Sequence, residues 1–254
     1  MVAAVAINLA LVAAAFVCWS ISTMSAGGGS VLILVLAAAL LQGHAIAPVV
    51  TVASALASPA RIILFWKHID WRLVRWYLPG ATAGATLGGW AFSRASSDLI
   101  QVCVGLFLVS TIWQFRPVDQ EHFRMRLAWF LPVAFISGLT SAIVGASGLL
   151  ANPFYLNYGL TKERMLATRA VNSMTIQIIK LAMYLRFGIM TWDLVGHGAA
   201  VGLGGVLAVW LTRPWLTRID SLRYRHLAVL VMVFAGLLLL WRQRLWFLSF
   251  WESL

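Results

Sequence analysis

Arg169 and Lys180 lie in a stretch from Ala167 to Tyr184 that is apolar enough to be buried in lipid and holds no Asp or Glu. A guanidinium and an ammonium with no acid beside them in the chain have the charge to hold an anion. Eleven positions of an α-helix return to nearly the same face, about 16 Å along the axis. Asn172 and Ser173 fall between them on that face. The helix would then offer weak polar donors near its middle and a cation towards each end, the lining of a path for a small anion. An ionisable group inside a membrane costs on the order of a few kcal/mol and marks a functional position by default. The plainer alternative is snorkelling, in which a long side chain carries its charge out to the headgroups. Arg169 could reach the corner at Lys162–Arg164, Lys180 the outer surface near Arg186, and Arg61, five residues before Trp66, the cytoplasmic headgroups.

The elements that must hold these residues are helical. Of the 254 residues 61% are hydrophobic and 11% charged, with a mean hydropathy of +0.88, far from the roughly one-quarter charged soluble average. Lipid admits helices or closed barrels, and apolar runs of about 20 residues are helices. Such runs lie near 3–25, 30–42, 45–66, 72–93 and 98–115, then 127–145, 148–159, 162–186, 192–211 and 225–241. The second of each set is too short to span comfortably, and whether it crosses or re-enters is open. The net charge of +11 comes in short clusters between the runs with no continuous basic face, which argues against nucleic acid and for membrane lipid headgroups. Arg61 is the first charged residue, so a basic signal-peptide n-region is missing and the first run is expected in the mature chain. Cys18 and Cys103 lack metal-ligand spacing and sit in apolar runs; nothing asks for a metal or another cofactor.

Both sets of runs carry the same order of features. A small-residue cluster precedes each short run, Ser25-Ala26-Gly27-Gly28-Gly29-Ser30 and then Gly145-Ala146-Ser147-Gly148. Such clusters suggest helix breaks lining a protected polar spot, with unpaired N–H groups after Gly29 and Gly148 that favour an anion. The polar stripe Thr51, Ser54, Ser58, Arg61 is mirrored by Thr168, Asn172, Ser173, Lys180, and Asp70-Trp71-Arg72 by Thr191-Trp192-Asp193. We therefore expect an all-α polytopic membrane protein of two repeats, 1–118 and 127–254, joined by a basic linker at 119–126. Placing twelve loop cations inside leaves Arg94, Arg186, Arg242 and Arg244 outside, which inverts the second repeat and sets both termini outward. The candidate ligand-binding residues are Gly28, Gly29, Ser30, Thr51, Ser54, Ser58 and Arg61 from the first repeat. The second supplies Ser147, Gly148, Asn152, Arg169, Asn172, Ser173 and Lys180.

With these residues in view the chain resembles the sulfite exporter TauE/SafE family, also grouped with toluene sulfonate uptake permeases. The resemblance rests on Ser25 to Ser30, on "ARIILFWKHIDWRL" from Ala60 to Leu73, and on Gly138-Leu139. It continues through Gly145 to Gly148, Asn152-Pro153, Lys180, and Gly188 before Trp192. It implies a secondary transporter of small anions, typically sulfite or organosulfonates such as sulfoacetate, in the bacterial inner membrane. The chain departs from the pattern in lacking a proline after the first glycine cluster and in carrying Arg169. No carboxylate lies in the interior to relay a proton, and His44 and His197 are the histidines nearest to it; proton coupling and a homodimer are both left open. Two rivals remain. Ser147 in Gly145–Gly148 with His197 resembles the dyad of rhomboid intramembrane proteases, in which a base activates a serine hydroxyl; a feature repeated in both halves argues against it, since a dyad needs one. An anion channel would use the same cation-lined path.

Overall fold

The computed structural model describes residues 12–20, 29–41, 43–112, 125–146, 150–212 and 221–244, and no strand occurs among them. Helix α1 covers 12–20. It is followed by α2 (Gly29–Leu40), α3 (Ile46–Phe65), α4 (Trp71–Arg94) and α5 (Ser97–Ser110), then α6 (Phe130–Val144), α7 (Asn152–Asn157), α8 (Lys162–Arg186), α9 (Trp192–Thr212) and α10 (Ser221–Arg242). The segments Gly43–His68, Leu127–Val144 and Trp192–Thr212 are long and apolar enough to cross a membrane.

Helix ends follow local chemistry. Asp70 caps α4 by accepting from the Leu73 amide at 3.1 Å, and Ser96 caps α5 through Leu99 at 3.2 Å; each satisfies an amide that the helix leaves unpaired. Helix α6 stops at Gly145, whose φ of 104° is left-handed, a conformation that costs a side chain about 1–2 kcal/mol. The two short runs are short helices. At 1.5 Å per residue, α2 with 12 residues and α7 with 6 reach about 18 and 9 Å, against a hydrocarbon core of about 30 Å. The Met125 amide donates to the Asn157 carbonyl at 3.4 Å, so the chain returns from Gly145 to the level where α6 began.

Packing rests on close backbone approach. A Cβ on Gly80, Gly84 or Gly88 of α4 would fall 2.1, 2.0 or 2.7 Å from the carbonyl oxygens of Leu131, Phe135 and Leu139 of α6. The four-residue spacing on both sides makes α4 and α6 parallel neighbours, in the small-residue packing common in membranes. Helix α9 lies likewise along α3, with Gly198 against Val52 and Gly202 against Leu56, while Gly204 meets the Val12 carbonyl of α1. Gly105 of α5 and Gly236 of α10 face each other, and Gln243 donates to Gln101 at 3.0 Å, which makes that pair antiparallel. Helix α8 packs on α3 and α4. One buried apolar cluster joins parts of α1, α2, α3, α5, α9 and α10 with Phe92, Val144 and Tyr184, and another joins α4, α6, α7 and α8. The polar residues gather where α3 and α8 meet.

Candidate functional site

Helices α3 and α8 run antiparallel. Thr51, near the start of α3, lies next to the Tyr184 hydroxyl near the end of α8, and Arg61 towards the end of α3 is an electrostatic neighbour of Arg169 early in α8. That register sets Ser58 and Ser54 opposite the stretch from Ser173 to Lys180. The two stripes thus form one polar column with Lys180 towards one end and the arginines at the other.

Lys180 is fully buried. Its ammonium donates to Ser141 Oγ at 3.2 Å and to the Gly145 carbonyl at 3.1 Å. Gly145 ends α6, so the charge sits at the negative end of that helix dipole, which offsets part of its desolvation cost. No acidic side chain pairs with Lys180 among the described residues; the ion pair found there joins Arg164 to Asp70 at 3.1 Å. Tyr184, one turn on, donates to the Ala142 carbonyl at 2.5 Å and secures the same junction.

At the other end Arg169 donates to Asn152 Oδ1 at 2.8 Å, and Asn172 donates to the Tyr155 hydroxyl at 2.8 Å. Tyr155 is 1% exposed and stacks between Tyr77 and Phe130, at 6.5 and 5.4 Å between ring centroids. Helix α7 therefore delivers Asn152 and Tyr155 to α8 on a rigid aromatic support. Arg61 places its guanidinium 4.2 Å over the Trp19 ring. Its Nε and Nη2 are buried and meet no hydrogen-bond partner among the described residues.

Between the ends, Ser54 Oγ and Gln177 Oε1 are buried without a partner among the described residues. Other expected members of the site are occupied locally. Thr51 and Ser58 donate to carbonyls of their own helix, Ala47 at 2.6 Å and Ser54 at 2.7 Å, which is the usual way a hydroxyl is satisfied inside a helix. Thr168 accepts from the Asp70 amide at 2.9 Å and so ties the α3–α4 turn to α8. Ser173 is partly buried on the column side of α8. Gly29 and Ser30 open α2, while Gly28, Ser147 and Gly148 lie outside the described residues. His197 Nδ1 lies 2.6 Å from the Asp193 carbonyl of its own helix.

Sequence reasoning missed Gln177, Ser141, Tyr155 and Trp19. Gln177 could have been found, since it stands one turn before Lys180 and four residues after Ser173. The other three come from distant segments and carried no local signal. Among the described residues no three His, Cys, Asp or Glu side chains gather to hold a metal ion. The arrangement suits non-covalent binding of an anion: cations at both ends, with the Ser54 hydroxyl between them as a neutral donor.

Comparison with curated proteins gives no match, and neither does comparison with solved structures. The family model described as "Sulfite exporter TauE/SafE" matches residues 11–239, nearly the whole chain, including every element of the polar column. That family is one of membrane transporters and not of enzymes, which removes the Ser147–His197 protease reading. The chain belongs to the sulfite exporter TauE/SafE family.

Proposed function

We propose that this protein is a secondary transporter of sulfite or small organosulfonates such as sulfoacetate across a bacterial inner membrane, and that the polar column between α3 and α8 is its binding site. The observation that carries the reading is Lys180, an ammonium fully buried with two neutral oxygens as its partners. A core cation that neither pairs with an acid nor reaches water adds no net stability, and an anionic substrate supplies what its surroundings lack.

Alternating access by two inverted repeats, 1–118 and 127–254, completes the proposal. The helix contacts support it. If α1 to α5 correspond to α6 to α10, the parallel contact of α4 with α6 has its counterpart in α9 with α1, and that of α3 with α9 in α8 with α4. The antiparallel pairs α3–α8 and α5–α10 are each their own counterpart. A two-fold axis in the membrane plane generates this pattern, and it passes through the α3–α8 crossing where the column lies. The basic loops then face the cytoplasm and both termini the periplasm.

The test is uptake of labelled sulfite and sulfoacetate into proteoliposomes at two internal pH values, with wild type and Lys180→Ala. Saturable uptake by the wild type, lost in a folded Lys180→Ala protein, is the expected result, and dependence on internal pH would reveal proton coupling. The proposal is overturned if neither anion enters, and unsaturable conductive flux would replace the carrier by a channel.

A further inference from the structure

We infer that the Nε/Nη2 edge of Arg61 is the two-pronged seat that grips two oxygens of the transported oxyanion and so selects it over a halide. The inference rests on the transport reading above and names the side-chain edge that selects its substrate. Nε and Nη2 form the side-on edge of a guanidinium, two N–H groups pointing the same way at the spacing of two oxygens of a sulfonate, sulfite or carboxylate. In Arg61 these same two nitrogens are buried and unpartnered among the described residues. Buried charged donors are not left unmet at no cost, so an acceptor belongs there in the working protein.

The edge is also held in place. Trp19 is 2% exposed and lies against the guanidinium at 4.2 Å, which braces the group on that side. Trp19 in turn rests on α9 at Gly205, where an added Cβ would come within 2.9 Å of the indole Nε1. The stack Gly205, Trp19, Arg61 therefore cannot relax towards α9. Arg169, held by Asn152, adds a second positive charge within electrostatic reach of Arg61. Two like charges near each other in an apolar interior are relieved by an anion beside them. A halide meets such an edge at one point and gains little from its fork, whereas an oxyanion engages both prongs.

The experiment measures binding of labelled sulfite to the full-length protein purified in detergent, with methanesulfonate, acetate and chloride as competitors. Wild type is compared with Arg61→Lys, which keeps the charge and loses the fork, and with Trp19→Leu, which keeps the fork and removes its brace. Losing one of two charge-assisted bonds corresponds to about a tenfold weakening. We expect that loss for sulfite and methanesulfonate in Arg61→Lys, an unchanged chloride constant, and a smaller loss of both oxyanions in Trp19→Leu. Equal sulfite binding by Arg61→Lys and wild type would overturn the inference while leaving the transport reading intact. Absence of oxyanion binding in folded wild type would overturn both. Repeating the titration with phosphatidylglycerol added separates a lipid phosphate from a free anion: full displacement of sulfite by the lipid overturns the inference in favour of a headgroup seat.

Discussion

Replacing Lys180 by methionine separates a binding residue from a structural one. Methionine keeps the length and flexibility of the side chain and removes its charge. The lost hydrogen bonds, at 3.2 Å to Ser141 Oγ and 3.1 Å to the Gly145 carbonyl, are longer than the 2.7–2.9 Å or so of strong charge-assisted bonds. Together they contribute about 3 kcal/mol, at the low end for bonds from a charged donor. Against this stands the desolvation of an ammonium with no exposed surface, which costs several kcal/mol even after relaxation. The balance favours the variant by roughly 1–3 kcal/mol. For a chain of this size that raises the midpoint of thermal unfolding by about 2–10 °C. The assay is thermal unfolding in detergent, paired with sulfite uptake into proteoliposomes. A more stable, inactive Lys180→Met protein is expected if Lys180 binds substrate as proposed, since its charge then serves the anion at the expense of stability. A midpoint lowered by more than about 4 °C would refute this reasoning and make Lys180 a cap for α6, and undiminished uptake would remove it from the transport path.

Further expectations concern the scaffold. Gly84→Ala sets a Cβ at 2.0 Å from the Phe135 carbonyl, so α4 and α6 must part by about 1.4 Å to reach ordinary contact at 3.4 Å; a loss of about 1–3 kcal/mol is expected. Gly196→Ala, where no atom lies within 4 Å, is the control and should gain up to about 1 kcal/mol from helix propensity; equal midpoints for the two variants would contradict the packing described. Asp70→Asn keeps the cap on Leu73 and loses the charge facing Arg164, which is half exposed, so a change below about 1 kcal/mol that fades with salt is expected. Asp70→Ala also loses the cap and should cost about 1–2 kcal/mol; a difference of under 1 °C between these two unfolding midpoints would speak against the cap.

Much of the helical framework was legible in the chain because hydropathy is a local property. The runs at 162–186 and 192–211 are α8 and α9 nearly to the residue, and the two short runs are the short helices α2 and α7. Lys180 declared itself too, as a charge in a segment that lipid or protein must surround. What a polar stripe could not reveal is where each hydroxyl points. Thr51 and Ser58 turn back on their own helix, Thr168 serves the α3–α4 turn, and Ser54 is left without a partner among the described residues. These four share a residue class and a spacing, and differ in what the neighbouring helix brings near them.

The sequence by itself determined the solvent, the helices and the excess of positive charge inside, since each follows from residue type read along one strand of chain. Tertiary structure alone decided the partners: Ser141 and Gly145 for Lys180, Asn152 for Arg169, Tyr155 for Asn172, Trp19 for Arg61. Those contacts join residues 17 to 42 positions apart in the chain. They depend on the depth to which helices interlock, which is set at α4–α6 and α3–α9 by glycines letting backbones touch. A hydrogen bond is lost when its groups part by about 1 Å, so the chemistry of the site is fixed by that packing and not by any motif within it.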